Sequence, residues 1–153
     1  MANELLIQRE IKQSVINAGG YAVKLSNRFT IGIPDLGVWL APFVPTIFEV
    51  KDLGECVAKF DRQLDVTPKQ KDVMRRMQKS YDRPAGSYGN VCVTGTLVHI
   101  RHRGRRVLVA LPYDAPRLAW DYEEQGLGWI ERGSGGRWNM GKLMQGLGVS
   151  YVA

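Results

Sequence analysis

Apolar positions near the start of the chain recur at helical spacing, with Ile7, Ile11, Val15 and Ala18 on one stripe. Asn3 stands where a cap belongs. Gly19-Gly20 stops the pattern, because glycine takes the left-handed terminating conformation without a steric penalty. The period then shortens. Tyr21 to Leu25 alternates weakly as a first strand and runs into the polar turn Ser26-Asn27-Arg28. Gly32-Ile33-Pro34 interrupts next, since proline cannot donate to a central ladder and fits best just before a strand. Asp35 to Leu40 reads as the following strand, and Thr46 to Lys51 as its antiparallel partner across a turn bracketed by Pro42 and Pro45.

Gly54 to Leu64 fits either a short helix or an ordered loop. The clearest helix start follows: Thr67 as N-cap, Pro68 at the first helical position and Gln70 three residues after the cap form a capping box. This helix should reach Tyr81 and end at Asp82-Arg83-Pro84. Asn90 to Thr94 supplies another strand. Thr96 to Ile100 and Val107 to Leu111 read as a hairpin around the basic turn Arg101 to Arg106. Beyond Pro112 the pattern predicts a helix from about Ala115, a glycine-rich stretch holding Trp129 and Trp138, and a short helix near Asn139 to Gln145. With 153 residues, 44% of them hydrophobic, and neither repeat nor linker, one domain with one core is expected.

Charge changes the picture modestly. A net charge of +6 favours a polyanionic partner, although it also keeps a protein soluble. Cys56 and Cys92 are the only cysteines, too few for a disulfide framework or a cysteine-rich zinc site. Glu4, Arg9 and Glu10 argue against a signal peptide, and no run approaches membrane-spanning length, so the expectation is a cytoplasmic protein without membrane contact.

The chemistry concentrates on one strand. In Phe48-Glu49-Val50-Lys51 the side chains alternate, so Glu49 and Lys51 share a face. A short hairpin would bring Asp35, at the start of the neighbouring strand, close to Glu49. Two carboxylates that close repel one another, and a hard divalent cation relieves them. Magnesium suits the pair, because it takes one or two carboxylates and keeps waters or phosphate oxygens as its other ligands. Lys51 would then orient a water or stabilise charge on phosphorus. Taken singly, a Glu-x-Lys is usually a solvated pair and an Asp after proline a turn residue; an acid opening one strand and Glu-x-Lys closing the next is the informative combination. Glu4 lies three, seven and eleven residues before Ile7, Ile11 and Val15. It therefore projects from the buried face of the first helix, with Gln8 one turn on, and needs a partner there unless it only serves the helix dipole. Glu10 falls on the polar side and receives no role.

Gly32-Ile33-Pro34-Asp35, Phe48-Glu49-Val50-Lys51 and Thr67-Pro68-Lys69-Gln70 at a helix head, taken with the helical Glu4, resemble the PD-(D/E)XK nuclease superfamily and specifically its VRR-NUC branch. The likeness covers about residues 1 to 95. It implies an α/β fold: a central mixed sheet flanked by helices, a restriction-endonuclease-like αβββαβ core, here followed by a hairpin and a small extension. It also implies metal ligation by Asp35, Glu49 and the backbone carbonyl of Val50, with Lys51 as catalytic lysine and Glu4 an outer ligand through water. Gln70 would brace the site or contact substrate. The implied activity is a Mg2+-dependent endonuclease, with Mn2+ as substitute, acting on branched or structured DNA. Stand-alone members are similar to Holliday-junction resolvases and tend to be homodimers, while embedded members resemble flap-processing repair nucleases. The compact form suggests a bacterial or phage-infected cell. One departure stands out, since Asp52 to Val66 is longer and more charged than the family's usual segment between lysine and glutamine.

For nucleic acid, Arg101, Arg103, Arg105 and Arg106 crowd the hairpin tip with His102, where each neutralised phosphate would add salt-sensitive affinity. Lys69, Lys71, Arg75, Arg76 and Lys79 make the second helix basic and able to flank a substrate groove. Arg132, Arg137 and Lys142, interleaved with Trp129 and Trp138, suit either a stacking surface or, more often, a packed C-terminal subdomain. A non-catalytic DNA-binding or assembly protein on the same fold is the competing class, against which the intact Asp35, Glu49 and Lys51 speak. No residue excludes RNA as substrate.

Overall fold

In the computed structural model, residues 2–26, 32–81, 94–115, 117–122, 129–131 and 136–147 are described. The chain begins with α1 (Ala2–Asn17) and continues through β1 (Tyr21–Lys24), β2 (Leu36–Trp39), β3 (Thr46–Glu55), β4 (Lys59–Gln63) and α2 (Pro68–Tyr81). The second half holds β5 (Thr94–His102), β6 (Arg105–Pro112), β7 (Arg117–Asp121), β8 (Trp129–Glu131) and α3 (Met140–Leu147). Six strands form one mixed sheet in the order β1-β2-β3-β5-β6-β8, in which β3 and β5 run parallel and every other pair is antiparallel. The fold is therefore mixed α/β. A separate ribbon pairs β4 with β7.

The parallel pairing of β3 and β5 is what forces α2 between them, since a parallel connection must cross over one face of the sheet. The pleat then sorts the side chains. Phe48 and Val50 point toward α1 and join Ile7, Ile11, Val15, Leu97, Leu108 and the α3 residues Met140, Leu143 and Met144 in the larger core. The opposite face carries Val98, Ile100, Val107 and Val109, which are covered by Leu64, Leu118 and Trp120 from the β4–β7 ribbon and the segment after it. Glu49 and Lys51 belong to this second face by alternation.

Several local expectations shift. Asn3 lies inside α1 instead of capping it. Gly19, at φ +88°, follows the last turn of the helix and donates to the Ile16 carbonyl at 3.0 Å. The stretch from Gly54 is neither helix nor loop: β3 continues to Glu55, where it still has β5 as a partner, and β4 follows it. The helix expected near Ala115 is replaced by β7, whose alternation of buried Leu118 and Trp120 with exposed neighbours is a strand pattern. The strand expected at Asn90 to Thr94 falls outside the described residues except for Thr94, where β5 begins. Trp138 is buried against the core, which resolves its role in favour of packing. Asn139 caps α3 through a 3.1 Å bond from the Lys142 N–H to its Oδ1. No helix among the described residues is long and apolar enough to cross a membrane.

Candidate functional site

Asp35 follows the buried Pro34 and immediately precedes β2. Its carboxylate extends the ladder beyond the strand's end: Oδ2 accepts the Val50 N–H at 2.8 Å, and Oδ1 accepts the Ser26 hydroxyl at 3.0 Å. The loop that carries it is held by Gly32, at φ +84°, which crosses the head of α2. A Cβ at that position would lie 2.5 Å from Lys69 Cγ, so the glycine permits both the turn and the close approach. The Gly-x-Pro-Asp spacing thus places an acid at the end of one strand against the middle of the next.

Glu49 is 3% exposed, and burial is the main reason its pKa rises to about 8. The neighbouring Asp35 adds charge repulsion and a hydrogen-bonding contact that raise it further, Glu4 contributes in the same direction, and Lys51 pulls the other way. Lys51 Nζ lies 3.8 Å from Glu49 Oε1. The structure therefore gathers Asp35, Glu49, Lys51 and Glu4 into one electrostatic neighbourhood, with Asp35 and Glu49 in contact and Glu4 acting at longer range.

Gln70 completes the group. Its amide nitrogen donates to Glu49 Oε1 at 3.0 Å while its carbonyl oxygen accepts the Thr67 N–H at 2.9 Å; the Thr67 hydroxyl in turn accepts the Gln70 N–H at 3.1 Å. The capping box thus fixes the side chain that holds the buried carboxylate. The long Asp52 to Val66 segment does not displace it, because the extra residues are taken up by the end of β3 and by β4.

One atom is left over. Glu49 Oε2 is buried and has no hydrogen-bond partner. A buried carboxylate oxygen without a donor is costly, and two adjacent carboxyls worsen the cost unless a cation or proton enters. Asp35 and Glu49, with the Val50 carbonyl between Glu49 and Lys51, fit the two-carboxylate, otherwise water-filled demand of magnesium. Among the described residues no group of three or more His, Cys, Asp or Glu side chains is disposed to hold a metal, so Asp35 and Glu49 stand as a pair, without Glu4 as a third direct ligand.

The opposite face of β3 holds a second charged group that the sequence did not announce. His99 Nδ1 lies 2.9 Å from Asp52 Oδ1, Arg106 Nε donates to His99 Nε2 at 3.0 Å, and Arg106 Nη2 meets Glu10 at 2.8 Å. Both contacts of the imidazole are satisfied by the neutral Nδ1–H tautomer. Burial holds the His99 pKa below its usual value and Arg106 adds to this, against the pull of Asp52. Burial works to raise Asp52, but hydrogen bonds from His99 and the Gly54 N–H outweigh it and leave its pKa lowered. Trp138 packs edge-on to His99 and lies under the Arg106 guanidinium, 5.7 Å from it.

Arg106 was expected among the DNA-contacting residues of the hairpin; instead its guanidinium is committed to Glu10 and His99 inside the molecule. Glu10, assigned no role by helical phase, is its ion-pair partner. Arg101, Arg103 and Arg105 remain exposed at the tip, where the turn is only Arg103-Gly104. Glu55 pairs with Arg101 across the ladder and accepts the Arg103 N–H at 3.1 Å, which offsets part of the tip's charge. Arg101 sits three residues beyond Val98, the ladder partner of Lys51, roughly 10 Å along the strand. Lys69 and Arg76 are exposed on α2, Arg76 in an ion pair with Asp72. The alternation of Leu97 and His99 toward α1 was the one signal that could have marked the buried chain.

No family model matches the chain, and no match is found among curated proteins.

Proposed function

We propose that this chain is a divalent-metal-dependent endonuclease of restriction-endonuclease-like architecture that hydrolyses phosphodiester bonds in branched or structured DNA. The observation that carries the reading is the unpartnered, buried Glu49 Oε2 beside Asp35 and Lys51. A bound magnesium would supply Lewis-acid polarisation of the phosphodiester and acidify a water.

The protein's own residues do the rest. Gln70 holds Glu49 by one oxygen and leaves the other free for a ligand. The Val50 N–H and the Ser26 hydroxyl fix the Asp35 carboxylate in place. Lys51, 15% exposed, holds its ammonium 3.8 Å from Glu49 Oε1, the oxygen that Gln70 also meets, and from there it can orient the attacking water and stabilise charge developing on the phosphoryl oxygens. The net charge of +6, Lys69 and Arg76 on α2 and the arginines of the hairpin favour a polyanion as substrate.

The test is a panel of labelled junction, flap, duplex and single-stranded DNAs, with matched RNAs, incubated with Mg2+ or Mn2+. The parent cleaves at least one branched DNA, while Asp35→Ala and Lys51→Ala do not. Absence of cleavage on every substrate, or equal cleavage by the variants, overturns the reading. The resolvase form of the proposal also requires a homodimer, which light scattering with and without junction DNA detects.

A further inference from the structure

On the α1 side of the sheet, the face opposite the one Glu49 occupies, lies a cavity of about 280 Å³ lined by Leu5, Gln8, Arg9, Lys12, Lys24 and Leu36. Three of its six lining residues are cations and none is an acid. Arg9, Lys12 and Lys24 have no ion-pair partner among the described residues, although the molecule pairs Arg75, Arg76, Arg106 and Arg117 elsewhere. Like charges converging on one concavity without a counter-charge raise its potential and attract an anion. Gln8 adds a second sign. It is 7% exposed and its carboxamide oxygen is buried without a partner. Turned over, the same carboxamide presents an N–H to the cavity.

The placement is as telling as the charge. Lys24 and Leu36 are ladder partners, and Leu36 is the residue after Asp35. Gln8 is one helical turn beyond Glu4. We infer that this pocket is a phosphate-binding subsite, which seats a phosphate group of the nucleic-acid strand on the α1 face, away from the one presented to Asp35 and Glu49. Arg9, Lys12 and Lys24 neutralise the phosphate, Gln8 donates to it, and Leu5 and Leu36 meet the apolar side of the adjoining sugar. The inference rests on the nuclease reading for its substrate but not for its anion chemistry, so the two are separable. The phosphate can be internal to the strand or a terminal monoester.

The first measurement uses inorganic phosphate as the probe, on the full chain at constant ionic strength. At ten times its dissociation constant, phosphate raises the parent's melting temperature by about 3 °C and leaves the triple variant Arg9→Ala, Lys12→Ala, Lys24→Ala unmoved. The three side chains are exposed, so the variant's melting temperature without phosphate reports whether the fold is intact. Gln8→Leu, which keeps all three cations, provides a second variant and weakens the phosphate effect. Equal phosphate shifts in parent and triple variant overturn the subsite.

The second measurement is cleavage kinetics on the best DNA of the panel, prepared with a 5′-phosphate or a 5′-hydroxyl. The triple variant raises KM at least about tenfold, more than it lowers kcat, and flattens the salt dependence by about one phosphate contact. A loss confined to the 5′-phosphorylated strand assigns the pocket to a terminal phosphate, and an equal loss on both assigns it to the backbone. Unchanged KM and salt slope overturn the subsite while leaving the nuclease reading intact. A chain that shows the phosphate shift but cleaves nothing does the reverse.

Discussion

Lys51 and Asp52 are neighbours in the chain, yet the pleat of β3 sends them into opposite electrostatic surroundings. On the Asp52 side, His99, Arg106 and Glu10 form a continuous run of hydrogen bonds between the sheet and α1. On the Lys51 side, Asp35 and Glu49 crowd together, Gln70 satisfies one oxygen, and the other is buried without a donor. Both groups are removed from bulk water, so burial alone does not distinguish them. Closure does. A chain of groups that answer one another stabilises a single packing, while a pair of acids pressed together with a lysine nearby stores a demand that a ligand can meet.

The comparison breaks most sharply at catalysis. Lys51→Ala is expected to lower metal-dependent cleavage by at least about a thousandfold with little change in the urea midpoint. Arg106→Ala is expected to do the opposite. It removes the guanidinium that joins Glu10 to His99 and costs about 3 kcal/mol in urea denaturation, with cleavage within about tenfold of the parent where the protein is still folded. If Arg106→Ala proves as inactive as Lys51→Ala while fully stable, the buried chain is part of the chemistry and the contrast fails.

A smaller effect comes from pH. The Glu49 pKa in the folded protein, about 8, stands above its ordinary 4.5. Its protonated form is therefore the one the metal-free fold prefers, and stability is lost as pH rises from about 4.5 through 8. Glu49→Gln removes that loss. At pH 8.5 in EDTA the variant should be about 2 kcal/mol more stable than the parent, with the gap shrinking toward pH 4.5 and again when magnesium is added to the parent. A difference that does not vary with pH would show that the carboxyl is already relieved by some other group. The smallest effect belongs to Thr67→Ala, which loosens the capping box and should cost about 1 kcal/mol while lowering cleavage only severalfold.

Much of this is legible in the order of the residues alone. The helical stripe of α1, the Glu-x-Lys alternation on β3 and the Thr67–Gln70 cap are local patterns, and local patterns are written in adjacent residues. The proximity of Asp35 to Glu49 followed from one hairpin. What escaped was non-local. Glu10 lies 96 positions from Arg106, and helical phase alone placed it on the polar side, because nothing nearby reveals that an arginine returns from β6 to meet it. Arg106 read as one more cation in a basic turn for the same reason. The β4 and β7 strands were missed because each is short and each needs the other: Lys59–Gln63 has little apolar alternation, and its pairing partner lies more than fifty residues downstream.

That pairing gives the stretch between Lys51 and Gln70 a meaning. The inserted strand β4 and the C-terminal strand β7 form one ribbon, and Leu64, Leu118 and Trp120 together roof the valines and isoleucine of the second core. Neither is an ornament that could be trimmed alone. Removing β4 alone would leave β7 without a mate and bare the sheet's second face, so the two strands can be removed only as a single module.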